Sequence, residues 1–181
     1  MIRIRRATVE DADFIVETYR PFVEEHYASF ERTSPDAEET AKRITDAGDL
    51  YPWLVAEDDA PLAYAYASPH RTRAAYRSSV DTTIYAAPKA RGKGVGKALY
   101  GALFDILTTQ NYVMAYAGIA LPNEASIALH RSVGFELIGT YPSVGFKGGT
   151  WRDTQWWGRP LAQPSIPPKA ILSVTSVLDQ T

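Results

Sequence analysis

The hydrophobic pattern of this 181-residue chain predicts a mixed α/β domain built around one sheet. Three observations carry that prediction. Apolar periodicities follow one another as strand, helices, hairpin strands and then a βαβαβ-like second half. A proline turn and a glycine-rich basic loop join one of those strands directly to an apolar helix. No internal repeat divides the chain.

Taken in order, Ile2 and Ile4 alternate with Arg3 and Arg5, as in a short half-buried strand. Thr8 and Asp11 have the spacing of a capping box. Ile15, Val16 and Tyr19 continue a helical face to Pro21, where the helix is expected to kink or restart. Residues 22–30 fit a further helical turn or a loop equally well. Ser34-Pro35 reads as a cap followed by a first-turn proline, opening a helix with Ala37, Ala41 and Ile44 on one face and Gly48 as its stop. Residues 53–56 and 62–66 read as strands turning at Asp58-Asp59, and residues 71–77 as a basic, tyrosine-bearing loop. A strand at 79–85 enters the glycine loop. The helix after it carries Leu99, Leu103, Ile106 and Leu107 on one face, the pattern of a helix laid on a sheet. A strand at 113–119, a helix from Asn123 or Glu124 to Gly134, and strands at 135–140 and 151–157 complete the core. Residues 1–160 thus form the expected domain. Residues 161–181 form a proline-rich tail that either wraps a surface or is mobile.

Composition narrows the functions available. A net charge of −2 gives no basic face for general nucleic-acid binding. The absence of cysteine removes disulfides, thiolate ligands and a cysteine nucleophile. His26, His70 and His130 lie too far apart for a local metal motif, so no metal is expected. The first residues lack a signal-peptide core, and no apolar run reaches the roughly 18 residues of a membrane span. A soluble, cytoplasmic protein is the expectation.

The most informative stretch runs from Thr83 to Lys97. Its loop places free backbone N–H groups at a helix start, where a phosphate is favoured. A Walker A loop fails here, because Arg91 and Ala98 stand where it needs glycine and a hydroxyl residue. A dinucleotide fingerprint fails at Lys97 or Leu99. What fits is R-x-x-G-x-G over Arg91, Gly92, Lys93, Gly94, Val95 and Gly96, with Lys89 and Lys97 adding positive charge. A solvated basic turn would look similar.

That spacing resembles the pyrophosphate loop of the GCN5-related N-acetyltransferases, which bind acetyl-coenzyme A. Asn123, Ser126, Leu129, His130, Gly134 and Phe135 also match that family's N-x-x-[SA]-x-x-L-[YH]-x-x-x-G-[FY] helix. The resemblance covers residues 2–158 and implies the family's fold, a central twisted mixed sheet flanked by helices. It also implies that the pantetheine arm lies between two splayed strands, and that a backbone N–H near Ile84, Tyr85 and Ala86 faces the acetyl group.

Within that family, several stretches resemble the phosphinothricin N-acetyltransferases of the bialaphos-resistance type: residues 51–57, 74–76, 121–123 and 145–151, and the prolines of 164–169. Members acetylate the α-amine of a small anionic amino-acid analogue and are commonly dimers. Some relatives accept methionine sulfoximine or sulfone. Asp81 falls where the family carries a glutamate, which implies a general base one methylene shorter. Its alternative role is a structural pairing with Arg73 or Arg77. His130 is implied as acid for the coenzyme thiolate or as the alternative base. On the substrate side the resemblance implies Arg71, Arg73 and Tyr76, since guanidinium suits carboxylate and phosphinate. Phe30 would close over the substrate stem or pack in the core, and Lys147 would reach the pocket of its own or a partner subunit. The tryptophans at 151, 156 and 157 suit core or interface packing better than ligand stacking. A noncatalytic acyl-coenzyme A module is the rival of another class.

Overall fold

Strand β4 (Ser79–Ala86) stands at the centre of a seven-stranded sheet. This computed structural model describes residues 2–179. The other strands are β1 (Arg3–Arg6), β2 (Trp53–Glu57), β3 (Pro61–Pro69), β5 (Met114–Ala120), β6 (Glu136–Lys147) and β7 (Thr150–Pro160), and their spatial order is β1-β2-β3-β4-β5-β7-β6. Only β4 and β5 run parallel; every other neighbouring pair is antiparallel. Parallel neighbours need a crossover, and helix α3 (Val95–Thr109) supplies it.

The helices cover both faces. On one face α3 seats Leu99, Leu103 and Leu107, each fully buried, against Leu54, Ala63 and Ala65 of the sheet. Each such leucine contributes roughly 1.5–3 kcal/mol. On the other face α1 (Ala12–Glu24) lays Ile15, Tyr19 and Val23 on Trp53, Val55 and Tyr64. Ahead of it, the Thr8 N–H donates to the Asp11 carboxylate at 2.8 Å, and the Arg5 guanidinium grips the same carboxylate at 2.7 and 2.8 Å.

One helix boundary was left open by the sequence and another differs from expectation. Helix α1 passes through Pro21 without restarting and ends at Glu24. Proline removes its own N–H from the ladder and crowds the carbonyl four residues back, but Val23, beyond it, is buried to 1% exposure. Packing therefore carries the helix one turn past the proline. Helix α2 (Ala37–Ala47) starts after Asp36, not at Ser34-Pro35. The Asp36 carboxylate accepts the Glu39 N–H at 2.8 Å, whereas the Ser34 hydroxyl turns to the Pro35 carbonyl. Gly48, at φ +61°, ends α2 as expected.

Strand β6 extends past Thr140 to Lys147, with two irregularities in its register against β7. Gly148 and Gly149 make the two-residue turn between them, at φ +62° and +72°. A hairpin turn with two positive φ angles matches the strand twist and selects glycine at both places. Beyond β7 the chain returns across the end of α3. There the buried Gln110 amide donates to the carbonyls of Leu50 and Leu172, and the short helix α5 (Val174–Leu178) buries Val174 and Val177. Sequence reading did not anticipate α5, because a single turn gives no measurable period. No helix among the described residues is long and apolar enough to cross a membrane.

Candidate active site

Strands β4 and β5 pair over only three residues, from Ser79 opposite Met114 to Asp81 opposite Tyr116, and then diverge. The gap this leaves opens a cavity of about 920 Å³. Backbone direction alternates along a strand. Because the Ala87 N–H donates to Leu62 on β3, the N–H groups of Ile84 and Ala86 point the other way, into the gap. They are donors that β5 does not use.

The glycine loop closes one end of this cavity. Gly92 and Gly94 adopt φ +73° and +72°, and a side chain at either would meet nothing within 4 Å. Their value is therefore conformational: the left-handed geometry turns the chain abruptly into α3. The first N–H groups of α3, at Val95, Gly96 and Lys97, have no intrahelical acceptor and line the cavity. Helix α4 (Glu124–Ser132) flanks the same end, capped by Asn123, whose side-chain oxygen accepts the Ser126 N–H at 3.2 Å. Of the residues expected on the cofactor side, Ile84, Tyr85, Ala86, Arg91, Gly92, Gly94, Val95, Gly96, Lys97, Asn123 and Ser126 all line the cavity, and Lys93 does not. A helix N-terminus beside two basic residues, leading to a slot walled by unpaired strand N–H groups, fits an extended ligand with an anionic head and an amide-bearing arm. That is the chemistry of acetyl-coenzyme A.

Asp81 and His130 both line the cavity, from opposite faces of the sheet. Asp81 projects on the α1 side with Thr83 and Tyr85, and its carboxylate meets His70 Nδ1 at 2.6 Å. The pairing with Arg73 or Arg77 considered from sequence is not the one formed. Burial pushes the Asp81 carboxyl up, while His70 and the nearby Arg71 charge pull it back. His130 sits on the α3 side, 4% exposed. Its Nδ1 bonds the Ser126 carbonyl at 2.8 Å and so carries a proton; its Nε2 accepts from the Tyr100 hydroxyl at 2.9 Å. Burial pushes the imidazole down, partly opposed by the Ser126 carbonyl, and burial likewise pushes the Tyr100 phenol up.

The five residues expected around the substrate are not in the cavity wall but outside it, in two groups. Arg71 lies over the Trp156 ring at 5.6 Å, and Tyr76 meets the edge of His70 at 6.1 Å. Arg73 is exposed beside them. This loop therefore adjoins Asp81 through His70. Phe30 belongs to the second group, on the segment after α1 that brings Tyr27 and Ala28 to the cavity. Lys147 ties that segment down: its amino group donates to the carbonyls of Ser29 and Glu31 at 2.6 and 2.7 Å, on either side of Phe30. Burial lowers the Lys147 pKa, against the Glu31 charge that raises it.

Three contributors were missed from sequence. Tyr100 carries a hydroxyl on the otherwise apolar face of α3, which is the signal that could have found it. His70 immediately precedes the Arg71 loop but reaches Asp81 only through the β3–β4 register. Trp156 turns toward His70 at 6.0 Å, unlike its buried neighbour Trp157.

Residues 4–156 match the acetyltransferase (GNAT) domain family. A phosphinothricin N-acetyltransferase of Streptomyces coelicolor is 39% identical over 88% of this chain and 96% of that protein. An L-methionine sulfoximine/L-methionine sulfone acetyltransferase of Pseudomonas aeruginosa is 38% identical over 83% of this chain and 89% of its own length. Among solved structures, a GNAT superfamily phosphinothricin acetyltransferase from Sinorhizobium meliloti in complex with acetyl-coenzyme A superposes with a TM-score of 0.85 at 41% identity, covering 91% of this chain and 93% of that one.

Proposed function

The chain belongs to the GNAT acetyltransferase family as an acetyl-CoA-dependent N-acetyltransferase, and from that premise we propose that it acetylates the α-amine of phosphinothricin or a similar small anionic amino-acid analogue. One observation carries the reading: a single cavity joins the glycine loop to a half-buried carboxylate, in a chain close to phosphinothricin N-acetyltransferases over nearly its whole length. Modification of that amine would disarm a toxic analogue, a resistance function.

Acetyl-coenzyme A brings the acyl group already activated as a thioester. The glycine loop and the start of α3 hold its anionic head, and the unpaired N–H groups of Ile84 and Ala86 align its arm and face the oxyanion that develops at the carbonyl. Asp81 accepts a proton from the substrate ammonium, directly or across one water, and so frees the lone pair for attack. Attack forms the C–N bond as the C–S bond breaks. The second proton of the original ammonium passes to the departing sulfur, giving N-acetyl product, free thiol and one proton released overall. His130 serves this thiolate side through Tyr100. Its Nε2 lone pair is already occupied by the Tyr100 hydroxyl, which makes it less suited to be the base. Arg71, Arg73 and Tyr76 receive the anionic groups of the substrate, and Phe30, held by Lys147, covers its stem.

The acting form is proposed to be a cytoplasmic homodimer, with residues 1–160 as the catalytic unit and the tail as an appendage. Exposed Leu137, Ile138, Val144 and Phe146 on the edge strand β6 support association. A second substrate reading, methionine sulfoximine or sulfone, is favoured by the Pseudomonas relative. A noncatalytic acyl-binding module has less in its favour, since it would need neither Asp81 nor His130.

A thiol-release assay with acetyl-coenzyme A against amino acids and analogues tests this. Turnover of phosphinothricin well above that of methionine sulfoximine supports the first reading, and the reverse order supports the second. Activity confined to polyamines or protein amino termini rejects both. Full turnover in Asp81→Asn rejects the assigned base.

A further inference from the structure

We propose that His70 is a positioning residue for this reaction: its Nδ1–H, donated to Asp81, holds the carboxylate in the orientation that receives the substrate's proton. The inference rests on the reading of Asp81 as the base and adds a residue to it.

The geometry is specific. His70 follows β3, just past the last paired residues of the β3–β4 ladder, Pro69 and Val80, and turns back to meet Asp81 at 2.6 Å. An ionised carboxylate has no proton to offer, so the imidazole is the donor and its Nδ1 carries the hydrogen. The ring cannot easily turn away. It stacks on Tyr116 at 4.4 Å and is bounded by the edges of Trp156 and Tyr76 at 6.0 and 6.1 Å. Aromatic walls from β5, β7 and the Arg71 loop therefore fix one nitrogen on Asp81. The Arg71 guanidinium adds a further tie, donating to the His70 carbonyl at 2.7 Å.

The proton balance is simple. An N–H bond of the substrate ammonium breaks and an O–H bond forms on Asp81, directly or across a water; His70 keeps its own hydrogen throughout. The hydrogen bond favours the charged carboxylate against the burial that disfavours it. The charged and titratable groups facing the pair are Arg71 beside the loop, Tyr76 on it, Tyr116 on β5 and Tyr66 on β3. Among the described residues none of these is a second carboxylate, and His70 and Arg71 are the groups that pull the Asp81 carboxyl back down against its burial.

The test compares His70→Phe, His70→Asn and His70→Gln with Asp81→Asn. Phenylalanine keeps the stacking and removes the donor. Asparagine offers a donor near the Nδ1 position, and glutamine one near Nε2. Expected for His70→Phe is a fall in kcat of roughly tenfold or more, the weight of a hydrogen bond to a charged group. The acid limb of its kcat/KM profile should move to higher pH, with the KM for acetyl-coenzyme A unchanged. His70→Asn should restore much of the rate and return the limb. An unmoved limb in His70→Phe, with Asp81→Asn inactive, overturns the role of His70 alone. Rescue by glutamine and not asparagine also overturns it, since the working nitrogen would then be Nε2. An active Asp81→Asn overturns the underlying base assignment instead.

Discussion

The ring of Phe30 lies against Gly145 so closely that a Cβ added at Gly145 would stand 2.5 Å from it. Strand β6 thus holds the Phe30 segment both by this contact and by the Lys147 amino group two residues further on. Gly145→Ala should push the ring aside with little loss of fold, since Phe30 is 41% exposed and has room to swing. The expected result is a several-fold rise in KM for the amino acid with the KM for acetyl-coenzyme A unchanged. Steady-state kinetics with each substrate varied in turn checks it.

Gly94→Val should act on the other substrate. The left-handed φ of +72° costs a β-branched residue roughly 1–2 kcal/mol, and relieving that strain would turn the loop away from the cavity. We expect acetyl-coenzyme A binding to weaken about tenfold or more, measured by calorimetry, while the Tm of the free protein falls only slightly.

The Arg5–Asp11 clamp should make stability depend on acid. Burial would raise the Asp11 pKa, but the Arg5 and Thr8 hydrogen bonds outweigh it and hold the carboxyl below its ordinary value. A group depressed in the folded state stabilises fully above its unfolded pKa, about 3.9. That contribution declines as pH falls from there and is gone below the folded value. Asp11→Asn should cost roughly 1–3 kcal/mol near neutrality and flatten the acid decline in urea-unfolding free energies measured from pH 6 downward.

The apolar side chains of β6 should decide the oligomeric state. Ile138 is 61% exposed and Phe146 52%, on a strand at the edge of the sheet. Ile138→Lys together with Phe146→Lys should convert a dimer into a monomer by light scattering, with no change in far-ultraviolet circular dichroism. A wild-type chain already monomeric at micromolar concentration would refute the association.

Much of the fold was legible because the determinants are local. The glycine loop, the Asn123 cap and the leucine face of α3 each declare themselves within one turn of sequence. Pro21 left a kink and a restart both open, and the restart is excluded by the burial of Val23, which no local pattern displays. The start of α2 turned on a choice between Ser34 and Asp36, two good caps separated by one residue. In the site, Asp81 and His130 lie inside recognisable motifs, whereas the partner of Asp81 does not. His70 reaches it only because β3 and β4 pair in one register, and Lys147 reaches Ser29 across 118 positions of chain. Such contacts belong to the assembled sheet.

The early parting of β4 and β5 also bears on how the protein survives, not only on what it does. A sheet that abandons its ladder after three pairs leaves main-chain donors and acceptors in the middle of the molecule without a strand to satisfy them. A ligand that fills the opening completes a missing structural part, and its binding energy is added to the stability of the fold. At a hundredfold excess over its dissociation constant that addition is about 2.7 kcal/mol. Resistance of this chain to unfolding and proteolysis should therefore rise and fall with the supply of its acyl donor, tying the lifetime of the protein to the metabolic state that makes it useful.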